Sequence, residues 1–595
     1  MPIDAIFSMF HQWVSHPYFL ILLTLWLTYS YILVKGGFCS DDIQGIEQYD
    51  GTLMYPDEAN PGKKVRKVSY GTLSKWVRYH LSGGNHPSRH HYKKPDGSLG
   101  DPIPSGKVPS HHHALSVVCQ SVAVILLYQF LLLVTTPTVA LLTTLLFIVH
   151  PICTQAVAWP SAIGYILSLI CITASLNISY WTMAQTHNWM FILGLGGLAF
   201  FQVWGVYAQA IPMFTWVILL VLGQWQMALV AALFSGLAAS RNLREYVVYR
   251  RGEFKKQNME NSTSFNIRKP IVALKTIAYY IYMAFWPAKM GLYHEWGFHY
   301  SKKMELWDWR AICGLGFIIA STVACFMAPI EVRLGLVWFT IFLFLFLNWI
   351  TAQQWVTERY LYIPVIGLCL VTSYLLQCYQ TLYWFIFGML LCRTLCHLPT
   401  YDNELRFYIS NTWNFPKSEV AYGNLGVTYA GAGLAGAAND MWVISASLNK
   451  DYDVPQYNIF SRAKSQGFMM IQNGAYEQGL ATIASSIPIL QRVLACKVLH
   501  FPDMWKKELE DIRAMVSNPI QFLGGELNRL QNLKESLMQE LYRTKDDKRK
   551  GELTESLNNN ETQMTNLISY LKSKGVNVDF DPQKAILSKL TQRRA

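Results

Sequence analysis

Charged side chains are scarce in this chain. Asp, Glu, Lys and Arg make up 15% of its 595 residues, against about 25% in ordinary soluble domains. That shortage argues against the roughly four soluble domains that length alone suggests. Disorder is excluded too, because it requires few apolar residues, and apolar residues reach 52% here. Metal-type cysteine spacing is also missing. The eleven Cys include no C-x-x-C pair, and Cys392 and Cys396, with His397 beside them, are too few for a structural metal set. Most of the others, such as Cys119, Cys171 and Cys369, stand in apolar runs as small hydrophobes. No metal is expected. The first 16 residues hold no Lys or Arg, so no cleavable signal is expected.

Aromatic residues, by contrast, are plentiful at 14%, with 20 Trp and 33 Tyr. The mean hydropathy is only +0.18, so a very apolar part must coexist with a polar one. The net charge of +12 is scattered through loops between apolar runs. That pattern reads as membrane-flanking charge rather than a phosphate-binding face, and no nucleic acid is expected.

A spanning helix needs about 20 mostly apolar residues. The first such run is Tyr18 to Val34, followed by a long polar loop, 35–113. Eleven further apolar runs crowd the stretch up to residue 392. About 11–13 spans are expected, the shorter ones as half-helices or re-entrant segments buried in protein. The loop from Arg241 to Lys269 is basic, which favours its cytoplasmic placement. The expected fold is therefore all-α: a polytopic membrane domain, 1–397, followed by soluble helices.

After Leu398 the spanning runs stop. Leu425, Gly426, Tyr429, Ala438 and Trp442 fall at the spacings of a tetratricopeptide repeat, where small residues let paired helices approach closely. Lys450 stands where the turn Pro usually is. A weaker copy follows with Asn458, Ala463, Gly467 and Tyr476. Repeats are expected over 398–495, capped by neighbouring helices. In the last segment, 496–595, Leu527, Leu530, Leu533, Leu537 and Leu541, then Leu553, Leu557, Met564, Leu567 and Leu571, recur at helical steps. This predicts an antiparallel hairpin over 525–573. Asn261 and Asn560 open glycosylation sequons by pattern.

Three places could carry chemistry. Asp41 and Asp42 lie just beyond the first span. One fits a general base with a raised pKa; a helix cap or solvated loop is the alternative. The run His150-Pro-Ile-Cys-Thr-Gln155-Ala-Val-Ala-Trp-Pro-Ser161 is bounded by prolines that break helices. Glu358 and Arg359 open a later span, where the planar Arg fork suits a phosphate; snorkelling to headgroups is the alternative.

Together these stretches, with Phe285-Trp-Pro-Ala-Lys-Met-Gly-Leu292 and Asn424-Leu-Gly426, resemble the transmembrane-and-tetratricopeptide-repeat protein O-mannosyltransferases. These are C-type, lipid-phosphate-sugar-dependent glycosyltransferases. The resemblance covers roughly residues 15–490. It implies an inverting protein O-glycosyltransferase in the endoplasmic reticulum or a bacterial inner membrane. Asp41 or Asp42 would deprotonate an acceptor Ser or Thr hydroxyl. Arg359, with His150 and Glu358, would hold the phosphate of a polyprenyl-phosphate sugar, and the repeats would present the acceptor protein.

The chain also departs from the family. Cys153 and Gln155 stand where His and Glu are common. Ala162-Ile-Gly-Tyr165 replaces a Gly-Arg-x-acid run, and Gly205-Val-Tyr-Ala-Gln-Ala-Ile-Pro212 lacks an expected Lys-Glu pair. The second expectation follows from these losses: a catalytically degenerate member acting as a scaffold subunit, bound to membrane lipids and to other subunits of a larger membrane complex.

Overall fold

The computed structural model describes residues 16–40, 42, 46, 54–56, 64–66, 72–93, 99–256, 268–292, 294, 309–347, 356–496, 499, 501–544 and 546–576. The described chain is dominated by helices. Six of them are long and apolar enough to cross a membrane: Pro17–Lys35, Pro109–Val134, Pro160–Met183, Asn188–Ala208, Trp309–Met327 and Gln380–Tyr401. The chain is read accordingly as a membrane protein. Five more apolar helices are shorter, among them Pro137–Val149 and Val365–Leu376. At 1.5 Å rise per residue, a 13-residue helix is about 20 Å long, well short of a hydrocarbon core of about 30 Å. The 11–13 apolar runs thus separate into two length classes.

Two details differ from an all-helical expectation. The first long loop carries two short antiparallel ribbons, Met54–Pro56 with Lys64–Arg66 and Pro87–Lys93 with Leu99–Pro104. It also carries a helix, Thr72–Leu81. The expected basic loop from Arg241 is helical as far as Lys256, where the helix Trp225–Lys256 ends.

Packing divides the chain into two compact units. One comprises Met1–Lys255 and Met259–Met441; the other comprises Trp442–Ala595 with Lys256–Asn258. The core of the first unit is built around Tyr29, Phe130, Phe147, Phe339, Phe342 and Tyr362, all essentially inaccessible. Helices Ile330–Leu343 and Val365–Leu376 cross at Gly335 and Gly367, each of whose missing Cβ would strike the other's backbone. Small residues at such crossings let helices approach without a hydrophobic driving force from water. The first and last spans are joined at their ends. The Gly37 amide donates to Tyr401 O at 3.0 Å, and the Tyr31 hydroxyl donates to Asp402 at 3.0 Å.

Beyond the last span, helix Glu404–Asn414 begins where Asn403 Oδ1 accepts the Arg406 amide, and helix Glu419–Gly431 begins at Ser418 in the same way. Both are ordinary side-chain caps on orphan amides. Leu425 of the second helix belongs to the core of the first unit.

The second unit packs helices Asp453–Gln472, Tyr476–Leu494, Pro502–Ser517, Pro519–Arg543 and Asp547–Ser573. Its core includes Phe460, Ile483, Leu490, Trp505, Leu527 and Leu567. The last two helices run antiparallel, with Lys534 paired to Glu561 at 2.6 Å and Arg549 to Glu540 at 2.9 Å. The Arg549–Glu540 pair is half-exposed, and a pair of that kind contributes little. The buried Leu527, Leu530, Met564, Leu567 and Leu571 supply the apolar seam.

Candidate functional site

The polypeptide turns sharply after the first span. Ser40 adopts φ of 52°, a left-handed conformation uncommon for a residue with a side chain. The turn closes with the Asp42 amide donating to Cys39 O at 3.1 Å and the Cys39 amide donating to Asp42 Oδ2 at 3.2 Å. The second carboxylate oxygen accepts the Ser161 amide at 2.8 Å and the Ser161 hydroxyl at 2.5 Å. Asp42 is fully buried. Asp41 lies outside the described residues.

Burial pushes the Asp42 carboxyl up to about 6, against the opposing pull of Arg78 and of the hydrogen bonds from Ser161 and Cys39. Arg78 lies on the helix Thr72–Leu81 and is itself 2% exposed. Burial lowers its guanidinium to about 10, while Asp42 holds it up. Its Nε has no hydrogen-bond partner among the described residues. Asp42 and Arg78 are thus two opposite charges withdrawn from water, each offsetting part of the other's burial cost. Sequence reasoning missed Arg78. Its only mark was a basic residue within a short helix-compatible run in the polar loop.

Trp159 forms the next wall. Its indole N–H donates to Cys39 O at 3.0 Å. The Arg359 guanidinium carbon lies 4.8 Å from its ring centroid, a cation–π distance. Asp42 and Arg359, distant in sequence, therefore flank the same Trp159–Ser161 segment. Arg359 is half-buried.

Gln155 does something the sequence did not suggest. Its Oε1 accepts the Thr357 hydroxyl at 2.7 Å and the Arg359 amide at 2.7 Å, and so caps the short helix Glu358–Leu361. Two orphan donors are satisfied by one neutral amide. A neutral amide thus makes these acceptor bonds without burying a charge.

His150 and Glu358 are engaged elsewhere. His150 Nδ1 accepts the Ile152 amide at 3.3 Å, which places the ring proton on Nε2, where it is donated to Ala284 O at 2.9 Å. Both nitrogens are thereby used. Glu358 is fully buried and accepts the Gly291 amide. His294 and His397 stand beside its carboxylate. No group of three His, Cys, Asp or Glu among the described residues has metal-binding geometry.

The site therefore offers a buried acid near neutrality, a half-exposed Arg on an aromatic face, and a shell of side chains bonded to backbone. The chain matches no family model, no curated protein and no solved structure.

Proposed function

We propose that this chain is a catalytically silent scaffold subunit of a larger membrane assembly, built on a C-type glycosyltransferase-like plan. The observation that carries this reading is how the candidate polar residues are spent. Asp42, His150, Gln155 and Glu358 all bond to backbone groups of their own unit, and all four are buried. Polar groups kept in a membrane unit without a role in binding are costly, and internal hydrogen bonds are what make them tolerable. The lost family charges fit the same reading. The helices after Leu398, with tetratricopeptide-like spacing, and the C-terminal hairpin would be the docking surfaces for partner subunits. An endoplasmic reticulum or bacterial inner membrane is the proposed location.

A second reading keeps the transferase. The Asp42 carboxyl sits near pKa 6 with a hydroxyl 2.5 Å away, as a general base would hold an acceptor Ser or Thr, and Arg359 is partly open for a lipid phosphate. The donor would then be a polyprenyl-phosphate sugar.

One experiment separates the two. The chain is extracted from its own membrane in mild detergent and its mass is measured by light scattering. A scaffold gives a particle of fixed stoichiometry well above the chain's 68.0 kDa, retained in Arg359→Ala. The scaffold reading fails if the protein isolates alone and glycosylates a Ser/Thr peptide from a polyprenyl-phosphate sugar, with Asp41→Asn/Asp42→Asn abolishing transfer.

A further inference from the structure

The spans sort their ends onto two faces of the membrane unit. One face is marked by Gly37, whose amide donates to Tyr401 O at 3.0 Å and joins the end of the first span to the end of the last. His113, near the start of the span Pro109–Val134, has Nε2 3.2 Å from Gly37 O. Ser161, at the start of the next span, donates to Asp42. A Cβ on Gly164 would stand 3.1 Å from Ala208 O, where the span Asn188–Ala208 ends. Val206 shares an apolar cluster with Ala238 and Ala239, so the helix Trp225–Lys256 leaves on this face, just before Arg241.

The opposite face is tied together as well. The Tyr18 and Tyr128 rings, 5.3 Å apart, set the start of the first span beside the end of the second. The Thr135 hydroxyl donates to Glu331 at 3.3 Å, which brings the helix Ile330–Leu343 to the same place. Residues 184–187 connect the third and fourth spans there. The Tyr383 hydroxyl, near the start of the last span, donates to Leu142 O at 2.6 Å. The span Trp309–Met327 ends just before Ile330. Its 19 residues make a helix about 28 Å long, so Trp309 lies back on the Gly37 face.

Lys and Arg divide unequally between these faces. Lys35 and Lys107 flank the first two spans, Arg310 opens the fifth, and Arg393 and Arg406 bracket the last turns of the sixth. The helix Trp225–Lys256 continues from Ala239 through Arg241 and Arg244. All of these belong to the Gly37 face. At the opposite turns, 135–136, 184–187, 328–333 and 377–379, Arg333 is the one Lys or Arg among the described residues. Acids near the junctions, such as Asp402, count little in this bias. Cations close to span ends stay on the cytoplasmic side, where anionic headgroups attract them.

We propose that the Gly37 face is the cytoplasmic one, its cations set against the anionic headgroups of that leaflet. The first long loop begins and ends on this face, and helices Glu404–Asn414 and Glu419–Gly431 follow from it. Both therefore meet partners of the cytosol. The orientation does not rest on the scaffold reading, and a scaffold or a transferase could have it.

Accessibility of the full chain, in sealed vesicles of its own membrane with the cytoplasmic surface outward, tests this orientation. A membrane-impermeant maleimide is added with and without detergent, and modification is read by mass at the introduced thiol. His90→Cys, at an exposed position of the strand Pro87–Lys93, should label fully in intact vesicles, and detergent should add nothing. Thr186→Cys, exposed on the opposite turn, should label only after detergent. Trypsin acting on the unmodified chain decides the matter if either variant fails to fold. Intact vesicles should be cut after Lys417, which is exposed between helices Glu404–Asn414 and Glu419–Gly431. Labelling of Thr186→Cys in intact vesicles, partial labelling at both sites, or a need for detergent at His90→Cys or at Lys417 overturns the proposal.

Discussion

Asp42 and Ser161 meet through two hydrogen bonds to a single carboxylate oxygen, the amide at 2.8 Å and the hydroxyl at 2.5 Å. This contact ties the turn after the first span to the start of the span at Pro160. It also fixes Trp159, whose indole reaches back to Cys39. Arg78 supplies the compensating charge from the first long loop. Four positions scattered over the first third of the chain thus depend on one acid.

That dependence predicts a pH signature. The Asp42 carboxyl titrates in the fold at about 6, above its ordinary 3.8, so the folded state holds the proton more tightly than the unfolded chain. Stability is therefore greatest below pH 4 on account of this group and declines as pH rises through 6, by at most about 3 kcal/mol. Asp42→Asn should remove that slope, since it carries no charge at any pH. Arg78→Leu should deepen the loss at pH 7 by about 3–5 kcal/mol, because it leaves a buried carboxylate without its cation. Thermal unfolding in detergent from pH 4 to 7.5 reads both effects. Parallel curves for wild type and Asp42→Asn would show that Asp42 titrates alike in both states.

Gln155 offers a test of capping against charge. Gln155→Leu strands the Thr357 hydroxyl and the Arg359 amide, each at about 1–3 kcal/mol. Gln155→Glu keeps both acceptor bonds, to the Thr357 hydroxyl and the Arg359 amide. It should therefore cost less than Gln155→Leu. Melting temperatures of the two variants at pH 7 decide this; equal losses would mean that the two hydrogen bonds at Oε1 contribute nothing measurable.

The helical character, the membrane-type runs and the polar first loop were legible because apolar periodicity and run length report local burial directly. The division of twelve apolar runs into six long helices and shorter ones was not, since a run's length does not fix where a helix breaks. The site was legible in part. Carboxylates, His150 and the Glu358–Arg359 pair stood out as costly residues near apolar segments. Their partners did not: Arg78 acts on Asp42, and the Gly291 amide on Glu358, across long separations in sequence. Gln155 read as the loss of an acid, whereas its amide oxygen caps a helix.

Gly479 and Gly467 mark where helices Asp453–Gln472 and Tyr476–Leu494 cross. A Cβ on Gly479 would stand 2.6 Å from Gly467 O and 2.6 Å from an Ile471 side-chain carbon. Neither backbone can yield without separating the helices. Gly479→Ala should destabilise the second unit by about 1–3 kcal/mol, the usual cost of overpacking, despite alanine's better helix propensity. Limited proteolysis of the full chain should then cut within residues 453–494 more readily than in wild type. Unchanged cutting would mean the crossing is loose enough to absorb a methyl group.

Asn560 gives the opposite expectation. It lies on helix Asp547–Ser573 in a row of buried residues with Leu553, Met564, Leu567 and Leu571. It is 4% exposed, and neither its carbonyl oxygen nor its amide nitrogen has a partner among the described residues. An amide desolvated without hydrogen bonds costs about 1–3 kcal/mol. Asn560→Leu, similar in size, should therefore raise stability by a comparable amount. The same burial keeps this sequon from accepting a glycan while the helix is folded, so the substitution should leave the mass of the membrane-extracted chain otherwise unchanged. Asn261, in the other sequon, lies outside the described residues. A loss of stability in Asn560→Leu would mean that the buried amide has a hydrogen-bonding partner, and a glycan missing only in that variant would mean that the sequon is accessible and modified.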